Sequence, residues 1–287
     1  MRANVGDSRL GEGIGDNPGP FTHEIQEHRL LRGRQRRRAE SFRLDSNFNI
    51  TRGANWALQP VNHTGVSVGG HCDRCSMDWM FGVVNGYSDT MSDRDNGKGF
   101  LGSLKYSGET FAVATNVYYG GDSGDWAPWF FYASPLEAGD GRSGDKIGVA
   151  DLVVNWNPTD RLSTWFNYDY YWTHNVNDPE LSSLNINTFA LASRYGVTDR
   201  AGVALRGEYQ WWASDAPNIH FWTITGTLDY ALTENLIVKL EGRYDIGKLA
   251  GETNNFFMSG NDGNDPADGI FNDSDQVLGL VQMMYKF

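Results

Sequence analysis

The segment Leu236–Ile246, with the sequence LIVKLEGRYDI, decides the fold class of this chain. Apolar residues stand at alternate positions, and charged residues fill most of the positions between them. The apolar set is Leu236, Val238, Leu240, Tyr244 and Ile246, and the charged set is Lys239, Glu241, Arg243 and Asp245. A repeat of two is that of a β-strand, whereas an amphipathic helix repeats about every 3.6 residues. The segment therefore predicts a strand with one apolar face and one polar face.

Further segments alternate in the same way, at 110–119, 161–173, 200–212 and 277–287. Trp165 is an exception, because it falls among the polar positions of its segment. Each alternation covers about ten residues, the length that a tilted strand needs to cross a lipid bilayer. The sequence has no apolar run of the roughly 18 residues that a membrane-spanning helix needs, so it excludes a helical membrane protein.

The segments between the predicted strands differ in length in a regular way. Short turns are predicted at 107–109, 158–160, 197–199 and 232–234, with a fifth near Asp73, and three of them contain Thr-Asp or Thr-Glu pairs that can bond the turn backbone. Between the hairpins lie longer polar segments at 88–97, 120–145, 174–184, 213–218 and 247–274. Short turns at one end and long loops at the other are typical of outer-membrane barrels. We expect an all-β, antiparallel, up-and-down transmembrane barrel of about twelve strands over residues 46–287, beginning near Asn47.

The apolar faces carry aromatic residues near both predicted membrane interfaces, where lipid headgroups favour them. Two aromatic belts are predicted, an outer one of Trp172, Trp211, Trp222 and Tyr244 and an inner one of Trp156 and Tyr230. The polar faces would then point into the barrel. The predicted pore lining is Asp151, Asn155, Asn167, Asp169, Arg206, Glu208, Lys239, Glu241, Arg243 and Asp245. These side chains would pair and plug a narrow barrel but line water in a wider one, unless a loop such as 120–145 folds in.

The charge distribution argues against nucleic acid as a partner. Of 24 Lys and Arg residues 9 lie in residues 1–45, and of 36 Asp and Glu residues 7 do, so residues 46–287 carry a net charge of −14. Residues 1–45 contain no apolar stretch that would act as an export signal. We expect this segment to be poorly ordered. Two explanations for the missing export signal stay open, a true start further upstream and a misassigned start codon. Further strands before this segment also stay open.

The carboxyl end has the pattern of a barrel assembly signal. Val281, Met283, Tyr285 and Phe287 occupy alternate positions, and the last of them is aromatic. In bacterial outer-membrane proteins such an ending is recognised by the barrel-insertion machinery. The predicted partners are therefore this machinery, outer-membrane lipid and small solutes, and the predicted location is the outer membrane of a Gram-negative bacterium.

The stretch 51–86 resembles the OmpL-like outer-membrane β-barrel porin family. The resemblance is carried by Arg52, by the segment QPVNHTGV at 59–66 and by FGVVNG at 81–86, followed by an Asp- and Asn-rich loop. It extends over residues 47–287. The family resemblance implies a pore for small hydrophilic solutes and no general catalytic set. No cofactor is predicted.

Other candidate sites have simpler interpretations. Cys72 and Cys75 form one CxxC, and because zinc needs about four ligands, we expect them in a turn, either free or as a small disulfide. His63 is expected to hold the link between its flanking strands. The acidic loop 260–275 lacks the spacing of a calcium loop and is interpreted as solvated surface. A lipase-type site that uses His174 or His220 has no defined geometry, so no enzymatic activity and no metal site are predicted.

The predicted function is a porin for the passive diffusion of small hydrophilic solutes, with weak preference for cations because acidic residues are in excess. The alternative is a non-conducting barrel whose acidic extracellular loops bind a partner or an ion. A soluble β-sandwich lectin is a third hypothesis. The sequence does not determine the solute, the oligomeric state or whether the barrel conducts.

Overall fold

The computed structural model describes residues 48–59, 65–87, 98–121, 146–174, 183–214, 218–249 and 275–285, and these form one antiparallel sheet of eleven strands. A short 3-10 helix at Asn55–Leu58 precedes the first strand. The strands are β1 (Gly65–Cys72), β2 (Met77–Val84), β3 (Gly99–Ser107), β4 (Phe111–Gly121), β5 (Lys146–Trp156), β6 (Leu162–His174), β7 (Ser183–Gly196), β8 (Ala201–Ser214), β9 (Ile219–Thr233), β10 (Leu236–Leu249) and β11 (Asp275–Tyr285). Within these ranges, the structure contains no helix with the length and apolar character needed to span a membrane.

Each strand pairs with its neighbours in sequence, which is the predicted up-and-down topology. The described residues form eleven strands, against the prediction of about twelve. All five predicted short turns lie at one end of the sheet, and the longer segments lie at the other end. The strands extend further than predicted into several of these longer segments: β4 includes Gly121, β8 includes Ser214 and β10 includes Leu249.

Threonine side chains stabilise three of the short turns, as the sequence predicts. The hydroxyl oxygen of Thr159 accepts hydrogen bonds from the backbone N–H groups of Arg161 and Leu162, at 3.3 and 3.0 Å. Thr198 makes the same contacts in the β7–β8 turn, at 3.2 and 2.9 Å. Thr233 accepts one such bond at 3.3 Å. These contacts fix the hairpin registers locally, because each turn then has a defined backbone geometry.

The sheet has two edges in the described part of the chain, because β1 and β11 are not hydrogen-bonded to each other. Strand direction alternates along the sheet, so both edge strands run from the long-loop end to the short-turn end. Two antiparallel neighbours must run in opposite directions. The two edges therefore cannot join directly as antiparallel partners.

The prediction that the strands begin near Asn47 is wrong. Residues 48–59 contain bends and the 3-10 helix, and no strand. Their backbone groups bond to side chains of distant strands, so the ladder bonds that define a strand are replaced. Three other predictions concern residues that the structure does not describe. They are the disorder of residues 1–45, the role of His63 and the nature of the acidic loop 260–275, of which only Asp275 is described.

The sheet curls around its polar face. One apolar cluster collects side chains from the loop ends of seven consecutive strands and from Leu58 of the 3-10 helix, and each of them is at most 5% exposed. Its members are Leu58, Val84, Tyr87, Leu101, Tyr118, Ile147, Val149, Tyr171, Ile186 and Trp212. The concave side is therefore the interior, and the candidate pore lies along it.

Candidate pore lining and inner segment

Alternation along the strands separates the two faces of the sheet. In β10, Lys239 and Glu241 are each 2% exposed, whereas Leu240 between them is 54% exposed. In β9, Ile224 and Leu228 are exposed, and Thr225 between them is buried. Polar residues therefore face the interior and apolar residues face outward, which is the reverse of a water-soluble protein and suits a sheet surrounded by lipid.

The residues predicted to line a pore all lie on the inward face. Eight of them are buried, and Asn155 and Arg243 are partly buried. Arg206, Asp169 and Asp245 are fully shielded. Buried polar groups need partners, so the structure must show what these side chains contact. Two polar networks and an additional chain segment lie inside the curled sheet and supply these partners.

Residues Phe48–Gln59, which we call the inner segment, lie against the inward face. Glu241 on β10 accepts hydrogen bonds from the backbone N–H groups of Ile50 and Thr51, the second at 2.9 Å. The same carboxylate accepts a bond from the Thr51 hydroxyl at 2.6 Å. The Asn49 amide donates to the hydroxyl of Thr227 at 2.8 Å. One buried carboxylate thus holds two consecutive peptide N–H groups about 190 residues away in sequence.

Two arginines bond the carbonyl oxygens of the same stretch. Arg206 on β8 donates to the Thr51 carbonyl at 2.7 Å and to the Arg52 carbonyl at 3.2 Å. Arg243 on β10 also donates to the Arg52 carbonyl, at 3.1 Å. Hydrogen bonds from charged groups are roughly twice as strong as neutral ones. The backbone of the inner segment is therefore held through both its donors and its acceptors.

Glu208 contacts the next part of the inner segment. Its carboxylate accepts a hydrogen bond from the backbone N–H of Asn55 at 3.3 Å and forms an ion pair with Arg206 at 3.0 Å. Gly53 lies so close to this carboxylate that a Cβ atom at residue 53 would stand 2.2 Å from Oε1. A side chain at residue 53 would therefore force the Glu208 carboxylate to move away from its contacts with Asn55 and Arg206. The close contact explains the glycine at this position.

Apolar side chains hold the two ends of the inner segment. Leu58 is fully buried in the cluster at the loop end of the sheet, and the Tyr87 hydroxyl donates to its carbonyl at 2.8 Å. Phe48 packs against a second cluster, which contains Trp165, Ala190 and Ala192. This second cluster explains the exceptional position of Trp165 in its strand. Trp165 faces inward because an apolar residue of the inner segment covers it.

A second polar network lies on the β4–β7 side. The Asn167 amide donates to both Asp151 and Asp169, at 2.7 and 2.9 Å. The Asn116 amide donates to Asp151 at 2.5 Å, and the Thr188 hydroxyl donates to Asp169 at 3.2 Å. Asn116, Asp151, Asp169 and Thr188 are consecutive partners in the sheet register, so they form a row across four strands, and Asn167 lies beside the row, two residues before Asp169 on β6. Within the described residues, no group of His, Cys, Asp and Glu side chains suits a metal ion.

Sequence analysis missed one partly buried ion pair. The guanidinium of Arg194 on β7 donates two hydrogen bonds to the carboxylate of Asp229 on β9, at 2.9 and 2.6 Å. It reaches across the intervening strand over Gly202, where a Cβ atom would lie 2.5 Å from the guanidinium. The signal in the sequence is a glycine at an inward position. Arg243 forms a further pair with Asp245 at 2.7 Å.

The predicted belt residues are on the outward face. Trp156, Trp211, Trp222, Tyr230 and Tyr244 are exposed, and Trp172 is partly covered. The outer four belong to the loop ends of their strands, and Trp156 and Tyr230 belong to the turn ends. Their orientation suits two interfaces, and their contact with lipid headgroups stays a prediction. His220 also lies at the loop end, bonded to the Tyr209 hydroxyl at 2.8 Å.

The predicted assembly signal lies on β11. Val281, Met283 and Tyr285 point outward and are exposed, and Phe287 falls outside the described residues. At the same end of the sheet, Cys72 and Cys75 are joined as a disulfide in the β1–β2 turn. Of the two states that the sequence left open for these cysteines, the structure shows the closed one.

Comparisons with known proteins agree with this arrangement. The family model described as "Putative beta-barrel porin-2, OmpL-like" matches residues 39–287. No curated protein gives a significant match to the sequence. Among solved structures, OmpT of Vibrio cholerae with loop L8 deleted has a TM-score of 0.53 at 13% identity, over 78% of this chain and 63% of that one.

Two further structures show the same fold. The trimer form of Vibrio cholerae OmpT has a TM-score of 0.55 at 14% identity, covering 80% of this chain and 67% of that chain. An anion-selective porin from Comamonas acidovorans has a TM-score of 0.51 at 10% identity, covering 78% and 59%. The chain thus spans about 59–67% of the length of these outer-membrane proteins. At such identities the likeness concerns the fold.

Proposed function

The chain belongs to the OmpL-like β-barrel porin-2 family and to the bacterial outer membrane, and from this premise we propose passive diffusion of small hydrophilic solutes as its function. The observation that carries the proposal is the two-sided sheet, with carboxylates and guanidinium groups on its concave face and exposed apolar residues on its convex face. A polar interior offers hydrogen bonds to hydrated solutes, and an apolar exterior is stable in lipid. Solutes would move down their concentration gradient. No catalytic step forms part of the proposal.

The proposal includes weak preference for cations. Among the ten predicted pore-lining residues, five are acidic and three are basic, and the chain carries a net charge of −12. Rings of carboxylates favour cations in a water-filled pore because they lower the electrostatic energy of a positive ion there. The preference should be weak, because two of these carboxylates, Glu208 and Asp245, are already paired with arginines.

Recordings in planar lipid bilayers test both parts. We expect stepwise conductance and, across a gradient of potassium chloride, a reversal potential of the sign for cation selectivity. The double substitution Asp151→Asn/Asp169→Asn should reduce the selectivity, because it removes two inward carboxyl groups while keeping similar shapes. Glu234→Gln is the matched control, because it removes a charge from an exposed turn. An insulating protein contradicts the pore, and anion selectivity contradicts the charge argument.

A second candidate function is a non-conducting barrel whose acidic loops bind a partner or an ion. The observation that favours it is the inner segment, which occupies the inward face around Arg206 and Glu241. This candidate would be supported if the protein shows no conductance in bilayers and if its binding of a partner or an ion is lost when the loop 250–274 is shortened. Conductance steps from the purified protein would instead support diffusion.

A further inference from the structure

The inner segment has a mode of attachment that suits a movable part of a pore. Its residues 49–55 bond side chains on β8, β9 and β10 and lie on the face that a diffusing solute would use. We propose that the inner segment is the constriction of this pore, and that its anchorage to Glu241, Arg206, Arg243 and Glu208 controls how far the pore opens. The inference rests on the proposed porin function and adds to it the element that controls the width of the pore.

The anchorage is directed at the backbone of the inner segment. Glu241 binds consecutive N–H groups, and Arg206 and Arg243 bind consecutive carbonyl groups at residues 51 and 52. A segment that only fills space could be held by apolar packing. Here peptide groups that would otherwise be hydrated have charged partners, so the segment is bound within the polar part of the interior.

The same anchors make release possible. If the segment leaves, Glu241 and Arg206 lose their backbone partners but face a lumen that water can enter. Hydration then replaces the lost bonds, so the desolvation penalty that makes a broken buried ion pair costly is largely avoided. Glu208 and Asp245 are paired with Arg206 and Arg243 of their own strands, so these ion pairs do not depend on contact with the inner segment. Two arrangements of similar free energy are the condition for a switchable element.

The ends of the segment limit how it can move. Leu58 is buried in one apolar cluster and the partly buried Phe48 packs against the other, whereas the residues between them are held by polar contacts. Displacement of the middle alone would widen the lumen beside β8–β10 and leave both ends in place. We therefore expect graded opening by a change in residues 49–55, with the sheet unchanged.

The first test loosens the middle of the segment without changing a wall charge. Thr51→Pro removes the N–H and the hydroxyl that Glu241 binds, and Gly53→Val places a side chain where Glu208 stands. The matched control is Gly207→Val on the outward face of β8, where an added Cβ meets nothing within 4 Å. We expect the double variant to raise the unit conductance in planar bilayers severalfold, and the control to match the parent protein.

The second test ties the segment to the wall. Asn49→Cys and Thr227→Cys replace two side chains that are in hydrogen-bond contact, and Cys72→Ser/Cys75→Ser in the same protein removes the native disulfide. A disulfide between residues 49 and 227, detected by mass spectrometry, would show that the segment lies on β9. Under oxidising conditions this bond should suppress the conductance gained by loosening the segment, and dithiothreitol should restore it.

The outcomes separate the inference from the function on which it rests. If the disulfide forms but the loosened and parent proteins conduct equally, the inner segment is not the constriction, and diffusion through the barrel is unaffected. If the disulfide does not form, the segment is not at the wall and the inference fails. If neither the parent nor the loosened protein conducts, the porin function fails and the inference fails with it.

Discussion

Gly242 offers a direct test of whether the convex face of the sheet meets hydrocarbon. It lies on the outward face of β10, midway between Val238, which pairs with the inner-belt residue Tyr230, and Ile246, which pairs with the outer-belt residue Trp222. At about 3.3 Å per residue and a tilt of about 45°, the two belts are about 19 Å apart along the membrane normal. Gly242 is therefore close to the middle of the bilayer.

Substitution of Gly242 by arginine should cost stability through transfer of the charge into lipid. Because a Cβ atom at this position meets nothing within 4 Å, the substitution has no steric component at its first carbon. An arginine at the midplane costs about 2–4 kcal/mol. Relative to Gly242→Ala, this corresponds to a loss of roughly 30-fold to several hundredfold in the folding equilibrium.

Guanidinium titrations of the protein in phospholipid vesicles, followed by the fluorescence of its 10 tryptophans, measure this cost. The matched control is Leu232→Arg against Leu232→Ala, because Leu232 is also outward-facing and exposed but lies beyond Tyr230 at the turn end of β9. Near the interface the cost should fall to about 0–1 kcal/mol. Equal costs at the two depths would refute the assignment of the convex face to lipid.

Two further predictions concern the interior and the carboxyl end. Arg194→Met should destabilise the protein by about 3 kcal/mol in the same titration, because it leaves the carboxylate of Asp229 buried without its arginine. The double variant Arg194→Met/Asp229→Leu should be milder, and a single variant with unchanged stability would show that water reaches the pair. Tyr285→Ser should lower the fraction of protein inserted in the outer membrane, measured by the gel shift of unheated samples, whereas Met284→Ser on the inward face should not. An equal loss in both variants would contradict an outward assembly signal.

The sequence predicted the sheet well because its information is local. A period of two fixes which residues of a strand share a face, and Lys239 and Leu240 were assigned to opposite faces on that basis alone. Turn chemistry at Thr159 and Thr198 fixed the short connections, since those hydrogen bonds span only two or three residues. Trp165 broke the pattern, and its reason lay outside its own strand.

The inner segment and the buried pairs depended on contacts between distant parts of the chain. Residues near Thr51 resemble a strand in isolation, but Glu241 lies about 190 residues later, and no local rule brings the two together. Arg194 and Asp229 are likewise unremarkable until the sheet places them across Gly202. The sequence by itself therefore determined the two-sided ribbon, the turns and the direction of each face, because these follow from neighbours along the chain. Only the tertiary structure decided what occupies the interior, because curling the sheet brings its inward charges within reach of a backbone segment whose N–H and C=O groups are not bonded within a strand.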